Sequence, residues 1–165
     1  MTLVLVCAAV VGVDQFSKYL VSENLELNSS LSLAGSILRL THIRNPNAAF
    51  GFSFGRGIPL LPFALLAICI LLLVFYKTGG KGGVGLAGLS LVLGGALGNL
   101  IDRIRFREVV DFIDIGVGRF RWPVFNIADS CVTVGVILLV LGSLLFSEKK
   151  VSVSEHEQSD LIAGS

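Results

Sequence analysis

Charge is scarce in this chain. Of 165 residues, 15% are Asp, Glu, Lys or Arg, against 53% hydrophobic, and the formal net charge is +1. Soluble domains carry about 25% charged residues. Together with a mean hydropathy of +0.82, this excludes an ordinary soluble domain and points to an integral membrane protein. The near-neutral balance and the lack of a basic cluster argue against a nucleic-acid partner. Cysteine is sparse too: Cys7, Cys69 and Cys131 lie far apart in apolar runs, a pattern that makes neither a disulfide framework nor a metal site. Two histidines, His42 and His156, are too few for a histidine-based metal centre.

Long apolar runs are what the chain does have. The first, 2 to 20, ends in Asp14, Gln15 and Lys18. With no basic start and no small-residue cleavage site after it, it reads as a retained helix and not as a signal peptide. Residues 57 to 76 contain no charge and, at about 1.5 Å per residue, match one bilayer core; Pro59 and Pro62 fall in the first turns, where a missing N–H matters least. Residues 84 to 101 carry Gly85, Gly88, Gly94, Gly95 and Gly98, small residues that let helix backbones approach closely in lipid. The last run spans about 124 to 146. Between the runs, 31 to 44 and 108 to 117 alternate like short strands, and Trp122 is an interfacial aromatic. The expected fold is an all-α membrane protein of four transmembrane helices with a small β-rich extracytoplasmic element. Its membrane domain covers 1–147, with loops 21–56 and 102–123, and a polar tail, 148–165, follows. Four spans put both termini on one side, where Lys77, Lys81, Lys149 and Lys150 lie. By raw count the arginines of the opposite loops favour the reverse orientation.

One polar stretch, 98 to 130, stands apart. It holds four aspartates (Asp102, Asp111, Asp114, Asp129), Asn99, Asn126 and five arginines. Asp129 heads a membrane-length apolar run, where a carboxylate costs roughly 2.5–3.5 kcal/mol. Should Asp111 and Asp129 meet, they cannot both ionise comfortably, and one can activate water while the other protonates a leaving amine. The alternative is two interfacial carboxylates paired with arginines, and spacing alone leaves the two readings even. Asn126 and Asp129 share a helix face, as do Asn99 and Asp102; support of the carboxylates, or simple helix capping, fits both pairs. Asp102 and Arg103 also read as an ion pair. Asp14 and Lys18, at i and i+4, read as mutual neutralisation near an interface. Asn45 and Asn47 bracket Pro46, either as a substrate-lining loop or as an ordinary turn.

Five pieces in order, DQFSK (14 to 18), THIRNPNAAFG (41 to 51), GGALGNLIDR (94 to 103), VVDFID (109 to 114) and FNIADS (125 to 130), closely resemble the lipoprotein signal peptidases, or signal peptidase II, of bacteria. The likeness covers most of residues 10 to 146. Asn47 stands where the family more often has Gly, and Asn tolerates positive φ better than most residues. The resemblance implies an aspartic endopeptidase of the inner membrane, with both termini cytoplasmic and the site near the outer face. It would cut prolipoproteins just before a diacylglyceryl-modified cysteine. It implies Asp111 and Asp129 as the dyad, with Asp14, Asn99, Asp102, Arg103 and Asn126 supporting the site or holding substrate; Lys18 and Asn45, in the same matching pieces, are counted with these support residues. It implies no metal and no organic cofactor. Expected partners are the lipid-modified substrates and membrane lipids, and nothing demands more than a monomer. Two rival functions fit parts of the pattern: a proton-coupled transporter relaying through Asp14 and Asp129, and a non-catalytic scaffold organised on the glycine-rich helix. The transporter would spread ionisable groups through the membrane depth, whereas here they gather near helix ends. The scaffold leaves the paired carboxylates unexplained.

Overall fold

A computed structural model describes residues 2–46 and 83–142, together with Cys69 and Leu73. Three helices and one sheet organise them. Helix α1 spans Thr2–Asn24, followed by strands β1 (Ser30–Ala34) and β2 (Leu38–Asn45). Helix α2 spans Gly83–Phe106, strands β3 and β4 span Val109–Val117 and Phe120–Arg121, and helix α3 spans Ile127–Gly142.

At 23 and 24 residues, α1 and α2 are long and apolar enough to cross a membrane. Their burial is inverted relative to a soluble helix. The buried face of α1 is Val10, Asp14, Lys18 and Val21, a stripe at three- and four-residue spacing. Val4, Leu5, Phe16 and Tyr19 point outward. In α3 the outward residues are again apolar, among them Val136, Ile137 and Val140. Polar groups inside and apolar groups outside suit a hydrocarbon surround.

Glycines set the helix contacts. A Cβ on Gly88 would lie 2.8 Å from the Gly135 carbonyl oxygen, and one on Gly135 would lie 2.7 Å from the Gly88 oxygen. Seven residues on, Gly95 abuts the Ala128 carbonyl. Contacts that advance along α2 while receding along α3 make the pair antiparallel. On its other side α2 meets α1 at Gly94 against Val10 and Gly98 against Asp14. Here both numbers advance together, so α1 and α2 run parallel.

The strands form one antiparallel sheet in the order β1-β2-β3-β4. An isolated bridge joins Ile113 to Phe125, and the Phe125 carbonyl accepts N–H groups from both Phe112 and Ile113. The sheet therefore holds the residue preceding Asn126 and brings the start of α3 beside β3.

Several boundaries differ from the sequence expectation. The first helix runs to Asn24 and not 20, because nothing breaks it before the turn at Asn28, whose φ is 66°. The glycine-rich helix continues past 101 to Phe106, so Asp102 and Arg103 are helical and not part of a link. It stops at Arg107, which takes a left-handed φ of 62°, a common helix ending. The last helix begins at Ile127 and not 124. The expected class holds in a coarser form: apolar membrane helices plus a small antiparallel sheet, so all-α alone does not describe it. The 57–76 span, Asn47 and the 148–165 tail lie outside the described residues, apart from Cys69 and Leu73, which are helical and exposed.

Candidate active site

The site forms where the N-terminal turn of α3 meets the last turns of α1 and α2 and the first half of β3. Asn126 is its hinge. As the residue before α3, it caps the helix: its Oδ1 accepts the Asp129 N–H at 2.9 Å, and Asp129 Oδ2 faces the Asn126 N–H in return at 3.4 Å. This is the reciprocal geometry of a capping box. Asp14 Oδ1 accepts the Ala128 N–H at 2.9 Å. Three N–H groups that the helix itself leaves unpaired are thus used to orient site residues.

The free amide nitrogen of Asn126 reaches Asp111 Oδ1 at 2.7 Å and Asn99 Oδ1 at 3.1 Å, with the Val110 carbonyl at 3.3 Å. Asn99 Nδ2 in turn donates to Asp129 Oδ1 at 2.8 Å. Asp111 and Asp129 are therefore the two ends of one hydrogen-bonded chain through two asparagines. Asn45, the last residue of β2, donates from Nδ2 to Asp111 Oδ2 at 2.9 Å. Asn45 is one of the expected support residues, and its contact comes from the pairing of β2 with β3, which the turn reading does not supply.

Beneath this chain lies a buried ionic group. Lys18 Nζ contacts Asp14 Oδ2 at 2.8 Å, Asp102 Oδ2 at 2.9 Å and Asn99 Oδ1 at 3.0 Å, which uses all three ammonium hydrogens. Asp14 is 0% exposed and Lys18 3%. The expectation of a simple interfacial pair is corrected here: Asp102 joins it, and the group is fully enclosed. Gln15, which local reading passed over, donates to Asp102 Oδ1 at 2.9 Å and to the Gly98 carbonyl at 3.1 Å. Asp102 also accepts the Val110 N–H at 3.1 Å, tying α2 to β3. Arg103 does not pair with the adjacent Asp102. Its Nη1 donates to the Asn99 carbonyl at 3.3 Å, and its charge acts on Asp129, Asp111 and Asp102 together.

The Lys18 contact decides how Asn99 points. An ammonium only donates, so it holds the Asn99 oxygen and leaves the amide N–H groups for Asp129. Asp111 is nearly enclosed. Burial pushes its carboxyl up from 3.8 to about 6; the Asp129 charge adds to this, while hydrogen bonds from Asn45 and Asn126 and the Lys18 charge offset part of it.

Asp114, three residues on, occupies the opposite face of β3 and has a different task. It accepts from Thr41 Oγ1 at 2.9 Å and from Arg121 Nε, while Arg121 Nη1 reaches the Ser36 carbonyl at 2.8 Å. Burial raises the Asp114 carboxyl, but the Arg121 and Thr41 hydrogen bonds outweigh it and hold the group below its ordinary value. Strand alternation separates Asp111 from Asp114, and that signal was present in VVDFID. Among the described residues, no group of three or more His, Cys, Asp or Glu is arranged to hold a metal ion.

Comparison with known proteins gives the family and the fold. The model of the family described as signal peptidase (SPase) II matches residues 6–145. The lipoprotein signal peptidase of Syntrophus aciditrophicus is 41% identical over 142 residues, covering 83% of this chain and 88% of that protein. The one from Halothermothrix orenii is 42% identical over 147 residues, covering 89% and 97%. A solved bacterial membrane enzyme shares 34% identity over 90% of this chain and 91% of its own, with a TM-score of 0.74.

Proposed function

The chain belongs to the signal peptidase II family, and from that premise we propose that it removes signal peptides from bacterial prolipoproteins with an aspartic dyad, Asp111 and Asp129. The observation that carries the mechanism is the hydrogen-bonded chain from Asp111 through Asn126 and Asn99 to Asp129. Two carboxyls from different elements, β3 and α3, end one network, Asn126 donating to Asp111 and Asn99 donating to Asp129, and the Asp129 charge acts on Asp111.

Charge balance favours a shared proton. Asp14, Asp102, Asp111 and Asp129 bring four carboxylates to the cluster, while Lys18 and Arg103 bring two cations. A proton on the dyad removes part of the excess, and burial at Asp111 acts in the same direction. With one proton between them, the ionised carboxyl takes a proton from water as it attacks the scissile carbonyl. The protonated one then gives its proton to the leaving amine. Asn45, Asn99 and Asn126 hold the two carboxyls in place, and Asp14, Lys18, Asp102 and Arg103 hold the asparagines and the helix ends. The pair titrates as a unit, so activity should follow a bell-shaped pH curve.

The substrate reading extends the family's. Cleavage falls before a diacylglyceryl-modified cysteine, the acyl chains lie along the outward apolar faces, and the sheet covers the extended stretch to be cut. The full domain crosses the bacterial inner membrane four times as a monomer, with both termini cytoplasmic and the site near the outer face. Parallel α1 and α2 with antiparallel α3 support that path. Several arginines that spoil the charge count have local structural partners: Arg121 pairs with Asp114, and Arg103 binds the Asn99 carbonyl.

Cleavage of a diacylglyceryl-modified prolipoprotein peptide by purified Asp111→Asn and Asp129→Asn variants tests the proposal. General acid and base contributions run from about 10²- to 10⁴-fold, so each variant should lose at least that much while eluting as folded protein in detergent. Wild-type rates in either one would remove that residue from the dyad.

A further inference from the structure

Around the sheet-side end of α2 lies a group of cations that the site does not use. Phe106 ends that helix, and two guanidiniums lie over its ring. The Arg44 Cζ is 4.8 Å from the ring centroid and the Arg105 Cζ is 5.1 Å from it. Both arginines are exposed, and neither forms an ion pair among the described residues. They arrive from different elements, Arg44 from β2 and Arg105 from α2, so the fold brings like charges to one aromatic ring. The ring's face attracts each cation.

A second observation lies one residue on. Arg107 takes a left-handed φ of 62°, a conformation glycine adopts at lower cost. The helix dipole favours cations in this last turn, but Arg103 and Arg105 already occupy it. Two residues before the ring, Ile104 is 67% exposed on a helix long enough to span a bilayer. An exposed isoleucine on such a helix belongs in hydrocarbon, and an arginine at the helix end just beyond it belongs at headgroup depth.

We propose that Arg44 and Arg105, held over Phe106 at the sheet-side end of α2, form a headgroup site for an anionic phospholipid. The phosphodiester would lie against these guanidiniums, and its acyl chains would continue along the outer surface of α2. This rests on the membrane setting of α2 and is independent of the dyad, so it can stand or fall without the peptidase mechanism.

Native mass spectrometry of the purified full chain tests it, using phosphatidylglycerol and phosphatidylcholine with identical acyl chains. Each arginine near a charged membrane surface contributes roughly fivefold in affinity. Arg44→Gln with Arg105→Gln should weaken phosphatidylglycerol binding about 25-fold and leave phosphatidylcholine unchanged. Arg44→Lys with Arg105→Lys should keep most of the preference. Phe106→Leu leaves both charges but removes the ring, and should weaken binding by about two- to fivefold; it also serves if the glutamine pair does not fold. Equal binding of the two lipids by the wild type, or an undiminished phosphatidylglycerol preference in the glutamine pair or in Phe106→Leu, overturns the site. Displacement of the lipid by millimolar inorganic phosphate overturns the headgroup assignment in favour of free phosphate.

Discussion

Asp111→Asn separates the energetic cost of a buried carboxyl from its chemistry. Asp111 is 2% exposed and keeps its proton up to about pH 6, against an ordinary 3.8. Between those values the folded chain holds a proton that the unfolded chain has released. The group's contribution to stability is therefore most favourable below about pH 4, falls as pH rises, and reaches its full cost above about pH 6. A displacement of about two units, at about 1.4 kcal/mol each, comes to about 3 kcal/mol. Asparagine at this position removes the titration but introduces a mismatch. Asn45 and Asn126 both donate to Asp111, and an amide has only one oxygen to receive them. One donor set against another costs about 1–3 kcal/mol. Above pH 7 the two effects nearly cancel, and the variant should lie within about 2 kcal/mol of the wild type. At pH 4 only the mismatch remains, and the variant should be the less stable protein. Thermal unfolding in detergent from pH 4 to pH 8 measures both. Asp114 titrates with the opposite sign, but it sits on the other face of β3 and subtracts out of the difference. Asp111 is coupled to the Asp129 charge, so the difference reports the pair, and wild-type stability minus variant stability should fall by up to about 3 kcal/mol across the range. A difference that stays level would mean that Asp111 titrates as it does in the unfolded chain, and the enclosure argued for it would be wrong.

Two further substitutions probe the framework. Gly95→Ala would drive a Cβ into the Ala128 carbonyl, with Val132 Cγ2 at 2.9 Å; such overpacking costs about 1–3 kcal/mol, and it moves Asn99, one turn away, off Asp129. Both Tm and cleavage rate should drop, while Gly85→Ala, which meets nothing within 4 Å, should leave both unchanged. Lys18→Met strands Asp14 and Asp102 as enclosed carboxylates, a loss of about 3–5 kcal/mol. Fluorescence-detected size exclusion should show little folded protein, and adding Asp102→Asn should recover part of it; recovery of none would argue against the three-way pairing.

How much of this could be read locally follows from the range of each interaction. Asn126 and Asp129, three residues apart, were legible as partners because a helix turn brings them together, and they form the capping box. The alternation in 31 to 44 located β1 and β2 for the same reason: period two is a local property. Asp14 and Lys18 were legible only as a pair. Their third partner, Asp102, comes from a helix more than eighty residues further along, and no spacing rule reports which helices will touch. The acceptor of Asn45 was hidden in the same way, since it lies on a strand that pairs with β2 only after α2 has been placed between them in sequence.

Local spacing thus gives faces, and helix crossings give partners. The crossings are set by the glycines, which makes the glycine pattern and the carboxylate pattern one feature and not two. A side chain at 98 would put its Cβ 2.6 Å from Asp14 Oδ2, the oxygen that Lys18 binds. The bare backbone at that position is the room in which Asp14 sits. Four residues along, Asp102 completes the ammonium's shell, and from the same turn Asn99 offers its oxygen to Lys18 and its N–H to Asp129. Close approach of α1 and α2 is therefore what lets a lysine be enclosed without loss of its partners. The enclosed lysine, in turn, determines which end of an asparagine amide faces the carboxyl at the head of α3.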